Sequence, residues 1–64
     1  MKLEDYTITV NSARGNHLAS CKARMTKEDI TIFAQGILEG AKIRNKMPQV
    51  IIANEKNNEI IKLV

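Results

Sequence analysis

Sixty-four residues, a net charge of +3 and a single cysteine describe one domain, residues 1–64, whose core is marginal without a staple or a partner. One Cys and one His cannot form a disulfide framework or the Cys/His cluster that a structural zinc needs. The longest apolar run, residues 50–53, is far too short to span a bilayer. Glu4 and Asp5 stand where a secretory leader needs an apolar stretch, so a reducing, cytoplasmic setting is expected.

In chain order, Tyr6, Ile8 and Val10 alternate with Thr7 and Thr9, which predicts a half-buried strand over residues 6–10. Asn11, Ser12, Gly15 and Asn16 form a turn cluster around Arg14. A second alternation follows over residues 17–25, with Ala19, Cys21 and Ala23 on one face and Ser20, Lys22 and Arg24 on the other. Two strands joined by a short polar loop read as a hairpin. Cys21 then reads as a small buried hydrophobe.

A helix is predicted over residues 26–46. Thr26 is placed to cap it, with Asp29 three residues on, and Met25 and Ile30 are spaced as a hydrophobic staple. Glu28 and Asp29 suit the positive end of the helix dipole. Lys42, Arg44 and Lys46 suit the negative end, Asn45 suits a left-handed terminating position, and Pro48 forbids continuation. At about 100° per residue, Ile30, Phe33, Ala34, Ile37, Leu38 and Ala41 form the core face. Phe33 and Ile37 are expected to be almost fully buried against Ile8, Cys21, Val50 and Leu63. A further face carries Ile32, Gly36, Gly40 and Ile43. Each glycine costs roughly 0.8–1 kcal/mol of helix propensity relative to alanine, and close approach of a second helix would offset that. This face is the expected homodimer interface, with the outer face of the sheet as its rival.

Residues 50–54 read as a strand, Lys56, Asn57 and Asn58 as a turn, and residues 59–64 as a last strand. The order ββαββ makes an α+β two-layer fold, one helix packed on a four-stranded sheet. Two strand orders suit it. The preferred one, 2-1-4-3, sets the first and last strands side by side and parallel; the alternative is an antiparallel 2-1-3-4. The preferred layout resembles, in topology alone, the β-grasp arrangement of small immunoglobulin-binding domains.

Function is constrained mainly by what is missing. Cys21 and His17 share a strand and a face but stand four residues apart, roughly 13 Å at about 3.3 Å per residue, so they are not a nucleophile–base pair. Gly15, Gly36 and Gly40 are scattered and make no phosphate loop. No catalytic residue, metal ligand or cofactor is expected. Arg14, Lys22, Arg24 and Lys62 are the candidates for phosphate contact. With Tyr6 and Phe33 as the two aromatics, the sheet has no stacking platform for bases. The expected protein is therefore a small non-catalytic binding or regulatory protein, a homodimer acting through contacts with an unidentified protein partner. A nucleic-acid-binding regulator with a basic sheet face is the alternative, and no membrane partner is expected. In composition, rich in Ile, Lys and Asn, the chain is similar to small accessory proteins of phages and mobile elements.

Overall fold

The computed structural model describes residues 2–64. Five elements appear in the predicted order: β1 (Glu4–Asn11), β2 (His17–Met25), α1 (Lys27–Ala41), β3 (Gln49–Asn54) and β4 (Ile60–Leu63). The helix packs on one face of the four-stranded sheet, as the two-layer α+β reading requires.

The strand order is β2-β1-β3-β4, so the preferred 2-1-4-3 arrangement is corrected to its rival. Every pairing is antiparallel: β1 with β2, β1 with β3, and β3 with β4. The reason lies in the last two strands. β3 is six residues long and alternates half-buried and fully buried positions, whereas β4 has four residues, none of them buried. A short, poorly covered strand suits an edge, and the Val-Ile-Ile-Ala run of β3 suits the interior. β2 and β3 thus flank β1, and α1 crosses over β1 to connect them.

The hairpin turns follow the expected chemistry. Between β1 and β2, the Gly15 amide donates to the Ser12 carbonyl at 2.9 Å and the Ser12 amide to the Asn16 carbonyl at 2.8 Å. Gly15 holds φ +86°, a left-handed value that glycine adopts without Cβ strain. The register slips between Val10 and Asn11, so that Val10 faces Ala19 while Asn11 faces His17. Leu18 is the extra residue of this bulge.

The helix start is as predicted: Thr26 is extended and its Oγ1 accepts from the Asp29 amide at 3.2 Å. The end differs. α1 stops at Ala41, with Lys42 as its last cap, so Arg44 and Lys46 lie in the turns beyond it rather than in its last turn. Asn45 does not take the left-handed position; Met47 does, at φ 49°. Asn45 instead donates from its side chain to the Ala41 carbonyl at 3.0 Å and closes the frayed end.

The core consists of Tyr6, Ile8 and Val10 from β1, Val50 and Ile52 from β3, and Ile30, Ala34 and Leu38 from α1. Phe33 is not part of it. Its ring is 45% exposed, which corrects the expectation of near-complete burial, and Ile37 is only half-buried. The helix lies over β1 and β3, so its central i, i+4, i+8 stripe points inward and the flank bearing Phe33 looks past the sheet centre. Cys21 is likewise exposed rather than a buried hydrophobe.

One core residue has a titratable end. The Tyr6 hydroxyl donates to Glu4 Oε2 at 3.1 Å, and burial, reinforced by the Glu4 carboxylate, raises its pKa above the ordinary 10.0. A raised acid pKa favours the protonated folded form. The contribution is therefore full below pH 10 and is lost as pH rises from there through the folded value. Phenolate absorbance should appear together with unfolding in alkali, and Tyr6→Phe should flatten that alkaline loss. A Tyr6 that ionises in the intact fold near its ordinary pKa would contradict this.

Candidate functional site

Two surfaces stand out because the core does not use them. The first is the outer side of α1. Ile32 is 71% exposed and Ile43 84%, with Gly36 and Gly40 between them. A Cβ added at either glycine would meet nothing within 4 Å, so no contact inside the chain requires glycine there. At about 100° per residue, Phe33 lies beside Gly40 and Gly36 on the same cylinder, and its half-exposed ring widens the strip. Of the expected interface residues, Ile32, Gly36 and Gly40 lie on the outer side of α1, whereas Ile43 is exposed in the turn beyond its end at Ala41. Phe33 is the member of the strip that the sequence reading assigned to the core.

The second surface lies under the helix. The Lys27–Glu59 ion pair, 3.2 Å, holds one flank of α1 towards the start of β4, and Leu38 follows Lys27 on that flank. The opposite flank, with Phe33 and Ile37, turns to β2. Cover reaches Ala23 and Met25, which are half-buried against the core. It does not reach Ala19 and Cys21, which are exposed although they share the helix-facing side with Ile8 and Val10.

The candidate phosphate contacts are not brought together. Lys22 and Arg24 lie on the outer face of β2, at one edge. Lys62 lies on β4 at the other edge, three strand spacings or roughly 14 Å away, and Arg14 is in the first turn. Between the two edges run Thr7 and Thr9, Ile51 and Ala53. Lys22 is also engaged by Glu55 at 3.5 Å, and Arg24 stands opposite Asp5. The outer face is a mixed surface with separated cations, not a basic track.

Chemistry at His17 and Cys21 has no geometry to support it. His17 pairs across the hairpin with Asn11 and Cys21 with Ile8, so neither has an acid or base opposite. Among the described residues, no group of three His, Cys, Asp or Glu side chains is arranged to hold a metal ion. A concavity lies where the exit of α1 meets the first turn, walled by Ala13, Met47, Pro48 and Val64 with Lys42 and Lys46 at its rim. Its lining side chains include no carboxylate, thiol or imidazole. No described helix is long and apolar enough to cross a membrane.

Comparison with protein-family models, curated proteins and solved structures finds no match to this chain.

Proposed function

We propose that this chain is a small non-catalytic binding protein that acts through protein–protein contacts, and that the outer strip of α1 is the surface it uses. The observation that carries this reading is the pair Gly36 and Gly40. Both are open to solvent with room for a side chain, both lower helix propensity, and both lie in the chain between the exposed isoleucines Ile32 and Ile43. An apolar strip with a shallow middle suits the close approach of another helix. A second copy of the chain is the proposed occupant, and the small size of the core supports it, because association adds buried area that the monomer lacks.

An antiparallel pair of helices also matches charge. Glu28 and Asp29 lie at the start of α1, and Arg44 and Lys46 lie just beyond its end. Side by side and antiparallel, the acids of one chain approach the cations of the other, whereas a parallel pair would set like charges together. A cytoplasmic location and an accessory role in a phage or mobile element belong to the same reading. The free, exposed Cys21 supports the reducing compartment.

The test is Gly36→Leu. In a monomer this change adds a side chain in open space and raises helix propensity, so melting is unchanged or slightly raised. In a strip-mediated pair it separates the two backbones, and particle mass by light scattering falls by half. A mass indifferent to both Gly36→Leu and Gly40→Leu would remove the strip as the interface.

A further inference from the structure

The two edges of the sheet are unequal. β4 is four residues long, while β2 runs for nine residues, from His17 to Met25, without a proline. Its outward-pointing backbone N–H and C=O groups have no strand beside them, because β1 occupies the other side. A long open edge of this kind is a template for another strand. Beside it the helix-facing residues Ala19 and Cys21 are uncovered, so a strand added here also gains lateral apolar contact.

We propose that β2 pairs with β2 of a second copy, antiparallel across a two-fold axis at Cys21, to form a continuous eight-stranded sheet. The sequence of β2 selects this register. A two-fold perpendicular to the sheet pairs residues of the same face, so the axis passes through one residue of each strand. At Ala23 it would set Lys22 against Arg24 of the other copy, and at Lys22 it would set Lys22 against itself, like charges directly opposed. At Ser20 or Ala19 the overlap shortens and the ends of β2 hang free. At Cys21 the regular stretch Ala19–Ala23 pairs throughout, and Arg24 and Met25 reach the bulged end at Leu18 and His17. Ala19 then lies opposite Ala23, Lys22 opposite Ser20, and Arg24 opposite Leu18, with no like charges facing.

This contact goes beyond the functional reading, because it uses a different surface and leaves the helix strip free. Four strand spacings separate the two helices on the shared face, about 19 Å, well beyond the 8–10 Å of direct helix packing. The β2 axis is perpendicular to the sheet, and the axis of a pair formed through the outer side of α1 lies parallel to it. Where the two axes intersect, self-complementary contacts at right angles close into a tetramer: two eight-stranded sheets outside and four helices between them.

Ser20 reports on the register. It is exposed in the single chain, so its replacement leaves the fold alone. Ser20→Glu places an acid opposite Lys22 of the other copy and should tighten association about tenfold; Ser20→Lys opposes like charges at two symmetric places and should weaken it by a similar factor. Mass against dilution by light scattering or sedimentation reads both. Thiol cross-linking gives a second readout. Mild oxidation should join Cys21 to Cys21, and in a Cys21→Ser background Ala19→Cys mixed with Ala23→Cys should cross-link better than either alone. The expected wild type is a tetramer that Ser20→Lys and Gly36→Leu each reduce to a dimer. A dimer sensitive to Ser20 but indifferent to Gly36→Leu upholds the β2 pairing and removes the helix strip. A dimer broken by Gly36→Leu and indifferent to both Ser20 variants overturns the β2 pairing and leaves the strip standing. A monomer at every concentration overturns both.

Discussion

Ile8→Ala is expected to unfold most of the population at room temperature. Ile8 is fully buried at the centre of the sheet, between Cys21 of β2 and Ile52 of β3 and beneath the helix residues of the same core. Truncating a buried isoleucine typically costs about 2–5 kcal/mol, the transfer term plus the cavity left behind. The upper half of that range applies here, because the neighbours on both sides are backbone-paired strands that cannot collapse into the hole. A domain of this size sits at or below the low end of the usual 5–15 kcal/mol of stability, so the loss takes most of what exists. Phe33→Ala is the informative control. Had the ring been buried, it would cost about 3–5 kcal/mol; half-exposed at the rim, it should cost well under half of that. Urea melts of the two variants decide the matter. A Phe33→Ala loss equal to that of Ile8→Ala would mean that the helix is rotated about its axis from the position described.

Much of this architecture is legible in the chain because it rests on local rules. The period-2 alternation of Tyr6, Ile8 and Val10, the Thr26 cap and the turn residues around Gly15 each determine their own neighbourhood. Strand order is not local. Whether β3 or β4 lies beside β1 depends on which covers more apolar area, and two short Ile-rich segments look alike until length is weighed. The signal was present in the uninterrupted Val50 to Ala53 run, which suits a central strand, and in the polar turn residues that shorten β4 to four positions.

The helix illustrates the same limit. Periodicity places Phe33 on the apolar arc, and it is there; what periodicity does not give is the width of sheet beneath. One helix about 10 Å across cannot cover four strands spanning three spacings of about 4.8 Å, so part of the sheet must stay uncovered. The gap falls on the β2 side, which exposes Phe33, Ala19 and Cys21 together. The same shortage of cover explains why Cys21, correctly assigned to the inner face, is nevertheless accessible. Ile32, Gly36 and Gly40, by contrast, lie opposite the Ile30, Ala34 and Leu38 stripe and face outward whenever that stripe faces the sheet, while Ile43 falls in the turn beyond the helix. The spread of the cations could not be read in the same way: their positions on separate edges follow from the strand order.

Asn54→Ala should destabilise by about 1–3 kcal/mol, the cost of leaving buried or half-buried hydrogen-bonding groups unmet. Asn54 is 2% exposed and ends β3 facing Tyr6. Its Oδ1 accepts from the amides of Lys56 at 2.9 Å and Asn57 at 3.3 Å, an arrangement that bends the chain back. Its backbone completes the turn: its amide donates to the Glu59 carbonyl at 2.8 Å and its carbonyl accepts from the Asn58 amide at 2.9 Å. Asn58 holds φ 60° to make that return, which asparagine tolerates better than most residues. Alanine removes the acceptor for two amides and opens a small gap beside Tyr6, while the backbone bonds alone must hold the turn. β4, with four residues and no second neighbour, depends on that turn for its register. Asn57→Ala separates the two effects. Its Oδ1 also accepts a turn amide, from Glu59 at 2.9 Å, but in an exposed position where water replaces it, so its loss should amount to a few tenths of a kcal/mol. In Asn54→Ala, hydrogen exchange should quicken first at the amides of β4 and of the turn, before those of β1. Equal losses in the two variants, or uniform exchange across the sheet, would show that the Asn54 side chain does not organise the β3–β4 hairpin.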